Sequence, residues 1–349
     1  MATEIVRNRR SPMVFRTVNK PTVTSMELQL KIWTGEKTDG ATQPILYKLQ
    51  KHTINGFCKI DVAPIVKDYI DISIADANQW FWLEIKRIRH RAPAAPEFIY
   101  TYLISKGYTY FEDGGNKVYT PNFLTDSPMI YLPEGKDLEV SVNKMISNDY
   151  TNNVEIRFIT NVGEVPFELI TDNTTNDKIK VAKITTTDIF EGVLINQNVA
   201  NIVLAKIPIT TIPCSKYTPV RLTFVNRYGV KEIFWFNGKN SESANIKGST
   251  FERDITVEGE YLIENDPMPA FNVNGKRSIK VATGFMIEGM AEVIKQIMLS
   301  EQCWLGESGH EVAVHPTARN YTKKTVANDR LINYSMTFEY SADIITYIG

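Results

Sequence analysis

Histidine and cysteine are scarce in this sequence, long apolar runs are missing, and neither sign of charge is in excess. The three cysteines, Cys58, Cys214 and Cys303, are far apart and odd in number, which argues against a disulfide framework and against a Cys-rich zinc site. Lys+Arg 39 against Asp+Glu 40 leaves a net charge of −1, so the basic excess of a free-standing nucleic-acid binder is absent, while a local basic patch stays compatible. The longest apolar runs, Ile233–Phe236 and Ile344–Ile348, fall far short of the ~20 residues that cross a bilayer, and no membrane contact is expected. The opening MATEIVRNRRSPMVF has positive charge without the apolar stretch of a secretory signal, so synthesis and folding in a reducing cytoplasm are expected.

Signatures of chemistry are equally sparse. There is no G-x-S-x-G, no Walker loop and no dinucleotide fingerprint, and Gly114-Gly115 sits beside a turn rather than before a helix. His310 and His315 in HEVAVH are five apart, whereas a zinc-protease helix needs two histidines four apart on one face. In a strand that odd separation puts the rings on opposite faces, and Val312 and Val314 favour the strand. The polar run Thr171–Asp177 lacks the alternation and terminal Glu of a calcium loop and reads as a solvated connection. No catalytic residue, cofactor or metal ligand is expected.

What is abundant is β texture. Arg221–Lys239, RLTFVNRYGVKEIFWFNGK, is two strand-like runs around Tyr228-Gly229. Its nearly all-apolar stretch Ile233–Phe236 suits a strand buried on both faces, with Phe234 and Phe236 in the core and Arg227 and Lys231 open to a neighbour. Short alternating runs rich in Val, Ile, Thr, Phe and Tyr recur along the chain between Gly, Pro, Asn and Asp clusters. Met26–Trp33 places Met26, Leu28, Leu30 and Ile32 on one face. Asp61 is a suitable cap for a short helix from Pro64 to Tyr69.

The expected architecture is mainly β. An N-terminal arm (1–20) precedes two sandwich-like, Ig-like β domains (21–135 and 136–239) and a small α+β unit (240–349). That last unit holds one amphipathic helix over 285–299, with Met286, Met290, Val293, Ile294 and Ile297 on its apolar face and Thr283 as cap. Before it, Asn274-Gly275 reads as a hairpin turn.

Two basic clusters stand out. Arg7, Arg9, Arg10 and Arg16 stud the N-terminus, and Lys86, Arg87, Arg89, His90 and Arg91 crowd the end of the strand Trp80–Ile88. With Arg227 and Lys231, residues Arg7, Arg9, Arg10, Lys86, Arg87, Arg89 and Arg91 are candidate partner contacts, facing an acidic neighbour or nucleic acid in a channel. Trp80, Trp82, Trp235, Tyr228 and the aromatics of Phe98–Phe111 read as core rather than as a sugar platform.

The segment VRLTFVNRYG followed by FWFNGK resembles a recurrent element in virion proteins of tailed phages infecting Bacteroidota. Gly284-Phe285 with Glu288, Leu299-Ser300-Glu301, Trp304, Leu331–Tyr334 and Phe338–Tyr340 follow in an order similar to that of tail and collar ring components of crAss-like short-tailed phages. KIWTGEK and IDVAPIVKDYID near the N-terminus are similar in style. The resemblance implies a non-enzymatic structural subunit that adapts the portal to the tail and braces the DNA channel. Its expected partners are copies of itself in a ring, twelve-fold by that resemblance, with the portal, other tail or collar proteins and non-specific channel DNA. Its expected location is the neck or tail of the virion. Two other readings stay open: a glycan-binding adhesin module, and a carboxylate-pair hydrolase of a cell-envelope polymer, whose pair would be spatial and invisible in the sequence.

Overall fold

The computed structural model describes residues 5–345 except 19, 21, 36, 74–79, 92–96, 114–122, 144–152, 172–178, 186–188, 197–201, 214–215, 257, 308–309, 318–321 and 323–330. The architecture is mainly β, with several mixed sheets and two short helices. Contact density divides the chain into two compact units: Met1–Cys214 with Val225–Ile233, and Ser215–Phe224 with Phe234–Gly349.

In the first unit the chain runs β1 (Ile5–Asn8), β2 (Val14–Thr17), β3 (Val23–Trp33), β4 (Tyr47–His52), β5 (Cys58–Asp61), α1 (Ala63–Ser73), β6 (Phe81–Arg91) and β7 (Phe98–Ser105). These give a five-stranded sheet of order β1-β7-β6-β3-β4, antiparallel except for the β1–β7 pair, and a β2–β5 ribbon. The segment read as an N-terminal arm therefore contributes two strands. Alternation in β3 does what its pattern requires: Met26, Leu28, Leu30 and Ile32 are buried on one face with Leu83, Ile85, Tyr102 and Ile104. Helix α1 covers that face with Val66 and Ile70, joined by Val62 just before it, and the Asp61 carboxylate accepts the backbone N–H of Ala63 at 3.1 Å, as a cap should. The reverse face carries Trp33, Trp82 and Leu103, packed with Trp80, Leu124, Tyr228 and Val230. A sheet covered on both sides explains why β6 opens as the nearly continuous apolar run Phe81–Ile85.

The first unit continues with β8 (Ile130–Pro133), β9 (Asp137–Asn143), β10 (Asn153–Thr160), β11 (Gly163–Thr171), β12 (Ile179–Thr185), β13 (Ile189–Asn196) and β14 (Ile202–Ile212). Five of them form the sheet β11-β10-β13-β14-β8, where only β8 runs parallel to its neighbour, and β9 pairs with β12. Ile156, Phe158, Val193, Ile207 and Ile209 are buried in it.

The second unit is built on a seven-stranded sheet, β16-β15-β20-β21-β23-β18-β17. Its elements are β15 (Val220–Val225), β16 (Lys231–Phe236), β17 (Ser241–Thr250), β18 (Ala270–Ala282), β19 (Met286–Ile287), α2 (Ala291–Leu299), β20 (Cys303–Glu307), β21 (His310–Pro316), β22 (Leu331–Ile332) and β23 (Ser335–Asp343). Phe234 and Phe236 are buried as expected, and Phe236 meets Phe338 at 5.9 Å between ring centroids. The loop of the β15–β16 hairpin belongs to the first unit although its strands belong to this sheet.

Three local expectations change. The helix begins at Ala291 rather than 285, because Met286–Ile287 pairs with Leu331–Ile332 and a 3-10 turn, Glu288–Met290, follows. Thr283 caps nothing there; its hydroxyl accepts the Tyr334 N–H at 3.0 Å. Met290, Val293, Ile294 and Ile297 are buried as the stripe requires, but so is Gln296. Asn274-Gly275 is no turn, since β18 runs straight through it. A Cβ on Gly275 would lie 2.7 Å from the Asn245 carbonyl oxygen, so this glycine serves close strand packing. Past the end of β7 at Ser105, Gly107 comes against the hairpin loop and the Tyr108 N–H bonds the Arg227 carbonyl at 2.8 Å.

Candidate assembly surface

Register fixes where the β6 cations go. Arg87 stands opposite Leu28 and Phe98, and Arg89 opposite Met26. Arg87, Arg89 and Arg91 thus continue the row of Leu83 and Ile85 on the same face, Arg87 and Arg89 half-buried at the margin of the core and Arg91 exposed. There the guanidiniums lie on aromatic rings. Arg87 is 5.0 Å from the Phe98 centroid and 5.2 Å from that of Tyr100; Arg89 is 5.3 Å from Phe98; Arg7, on β1, is 4.5 Å from Tyr102. Tyr100 and Tyr102 stack in turn, 4° from parallel. Each such contact contributes about 0.5–2 kcal/mol and holds a charge at the surface without neutralising it. Desolvation, then the neighbouring Arg89, lowers the Arg87 pKa, yet a guanidinium stays charged at neutral pH. Arg91, Phe98 and Ile99 are exposed.

The other candidate cations are spent differently. Lys86 points to the opposite face and pairs with Glu97 at 2.6 Å. Arg9 is buried and paired with Asp71, while Arg10 is exposed beside the Tyr108 ring at 5.2 Å. Arg227 is not open to a neighbour: it is 7% exposed, its Nε donates to Asp126 at 2.8 Å, and the Tyr110 and Tyr228 rings flank it. Lys231 is half-buried.

Around Arg227 lies a polar cluster that the sequence reading missed. Asn226, fully buried, donates from Nδ2 to the Leu124 carbonyl and to Glu232, both at 2.7 Å, and its Oδ1 accepts the Tyr228 N–H at 3.0 Å. Glu232 also accepts from Thr125 at 2.7 Å, and Asp126 accepts from Tyr228 as well as Arg227. Both carboxylates therefore have each oxygen engaged by a protein donor. That arrangement latches the hairpin loop. No spacing rule reveals it, because Leu124–Asp126 and Asn226–Glu232 are about 100 residues apart.

Burial pushes the Glu232 carboxyl up to about 7, the Asp126 charge adding to the effect and bonds from Asn226 and Thr125 opposing it. A raised carboxyl holds a proton that the unfolded chain has released. Its contribution to stability is thus full below 4.5 and is lost as pH rises to about 7. The loss amounts to about 2–3 kcal/mol. Glu232→Gln is expected to flatten that slope while keeping the Thr125 and Asn226 contacts. Urea unfolding of both proteins at about pH 5 and about pH 8 checks this, and an unchanged slope in the variant would assign the titration elsewhere.

Other candidate groups are placed as follows. His310 and His315 lie on a strand, β21, and His315 Nε2 is 3.1 Å from the Ser341 hydroxyl. Cys303 is buried, its thiol pushed up to about 12, and burial also raises Cys58, so neither thiol is primed as a nucleophile. Trp80, Trp82, Trp235 and Tyr228 are buried, but of the Phe98–Phe111 aromatics Tyr102 alone is, Tyr100, Tyr108 and Tyr110 are half-buried, and Phe98 and Phe111 are exposed. The run Asp172–Asp177 lies outside the described residues.

A second exposed surface belongs to the second unit. Beyond the last β18–β23 pair, Lys276 with Asp343, Ile344 and Ile345 still bond to Gly275 and Asn274, and past these strands β17 and β18 continue, among the described residues, as a two-stranded ribbon. Backbone bonds from Phe251 to Pro269 and from Arg253 to Pro267 extend it. Every residue of β17 is exposed, as are Phe251, Tyr261, Leu262, Ile263 and Met268 past its end. Comparison with protein-family models and with curated proteins returns no match for the chain.

Proposed function

We propose that this chain is a non-enzymatic virion protein, a ring or collar subunit in the neck or tail of a crAss-like short-tailed phage infecting Bacteroidota. Many copies surround the portal–tail axis, adapt one layer to the next and brace the DNA channel. The Ig-like sandwich reading of residues 21–135 and 136–239, with an α+β unit from 240, belongs to the same proposal. The observation that carries it is the projecting β17–β18 ribbon. A two-stranded ribbon is marginal alone in water, and one that also displays Ile263 at 94% and Leu262 at 68% exposure is a surface made to be covered by another chain. A closed ring supplies such cover through a heterologous contact repeated around an axis. The hydrogen-bonded Asp126–Glu232 cluster is in keeping with a mechanical role, since these carboxylates hold the hairpin loop. Quantitative mass spectrometry of purified particles tests the reading: the chain is expected at a fixed ratio to the portal subunit, and its absence from intact particles would overturn it.

A further inference from the structure

The ribbon and the arginine row differ in charge as well as in place. Residues 251–269 hold six carboxylates against Arg253 alone, a net charge of −5, interleaved with the exposed Phe251, Tyr261, Leu262, Ile263 and Met268. The carboxyl of Asp254 is held below its ordinary range by hydrogen bonds from the Thr256 hydroxyl and N–H. On the arginine face of β6 the opposite holds: Arg87, Arg89 and Arg91 follow at alternate positions with the exposed Phe98 opposite Arg87, while Lys86, paired with Glu97, and Ile99 lie on the other face. One surface is acidic and apolar, the other basic and apolar.

The geometry points to docking of the acidic tip of the β17–β18 ribbon on the Arg87–Arg89–Arg91 and Phe98 face of a second copy of this chain. Two independent features of one sequence thereby supply both halves of a contact. The contact is head-to-tail, because the patches are different surfaces, and a head-to-tail contact closes a ring or propagates a filament. The ribbon has the reach for it. From Ile246 to Arg253 it extends about 25 Å past the β18–β23 pairing, at the rise of an extended strand. Arginines laid on aromatic rings accept such a tip well: the rings take the apolar side chains while the guanidiniums bind carboxylates in a forked geometry. This identifies the contact in the ring reading proposed above and rests on that reading for closure, though association itself is a property of the purified chain.

Sedimentation velocity of the full-length protein at low and high salt tests the docking. The wild type is expected to self-associate, more weakly as salt rises. Glu252→Lys/Glu260→Lys/Glu264→Lys on the ribbon, or Arg89→Glu/Arg91→Glu on the face, should each weaken association by about tenfold or more, and combining the two sets should restore it. Leu262→Ser/Ile263→Ser should weaken it without changing the salt dependence. Circular dichroism melts confirm that each variant is folded. A wild type that stays monomeric, or reversals that neither weaken nor rescue, would overturn the proposal. So would loss of duplex-DNA retention in the arginine reversal with self-association intact, which gives the face to a polyanion. A chain that fails here yet occurs as a ring in particles has its ring contact elsewhere. A chain that associates as described yet is absent from particles sinks the ring reading and leaves the contact standing.

Discussion

Replacing Gly229 with alanine is expected to destabilise the first unit by about 4 kcal/mol or more, among the largest effects for any single methyl group in the chain. Gly229 has φ 79°, and a Cβ there would lie 2.3 Å from the Gly107 nitrogen and 2.6 Å from the Lys106 carbonyl carbon. Both obstacles are backbone, so no side chain can swing aside. Gly107 mirrors it, with a Cβ position 2.1 Å from the Arg227 carbonyl oxygen. The two glycines let the hairpin loop lie backbone-to-backbone on the chain leaving β7, which brings Tyr228 and Val230 into the tryptophan cluster. Gly135 and Gly163 are internal controls, because both have positive φ but nothing within 4 Å of an added Cβ. Alanine at either should cost only the left-handed strain, about 1–2 kcal/mol. Denaturant unfolding of the three variants decides the matter, and equal losses at all three would remove the close-packing argument.

Asn226→Ala is the second large effect, expected at about 3–4 kcal/mol. Alanine removes the donors to Leu124 and Glu232 and the acceptor of the Tyr228 N–H, leaving three buried groups without those bonds. Asn226→Asp keeps the acceptor but sets a carboxylate against Glu232, so it should be no milder at neutral pH and should recover as the pair is protonated. A cycle of Asn226→Ala with Glu232→Gln should show coupling of about 1–2 kcal/mol. Additive losses would mean that the two side chains do not act as one network.

Much of the strand content was legible because it depends on local alternation. Met26–Ile32 buries the residues its period-2 pattern selects, and the Asp61 cap needed only residues two apart. Tertiary contacts decided the rest. Met286 continues the helical stripe of Met290, Val293, Ile294 and Ile297, yet Leu331–Ile332, some 45 residues on, draws Met286–Ile287 into a strand pair. Asn274-Gly275 has turn chemistry, but its glycine was needed for proximity to Asn245 rather than for reversal. The candidate cations were visible as clusters. Which of them are spent was not, since Asp71 and Asp126, which bury Arg9 and Arg227, are remote in sequence. The acidic ribbon carried a compositional signal of its own, six carboxylates in nineteen residues, which gains meaning only once the ribbon is seen to project.

High-resolution imaging of the intact phage neck and tail tests the central claim most directly. The account predicts density for this chain in a closed ring around the portal–tail axis, with copies related by rotation and each β17–β18 ribbon reaching its neighbour. A neck and tail fully accounted for by other proteins, with no density for this chain, would contradict it.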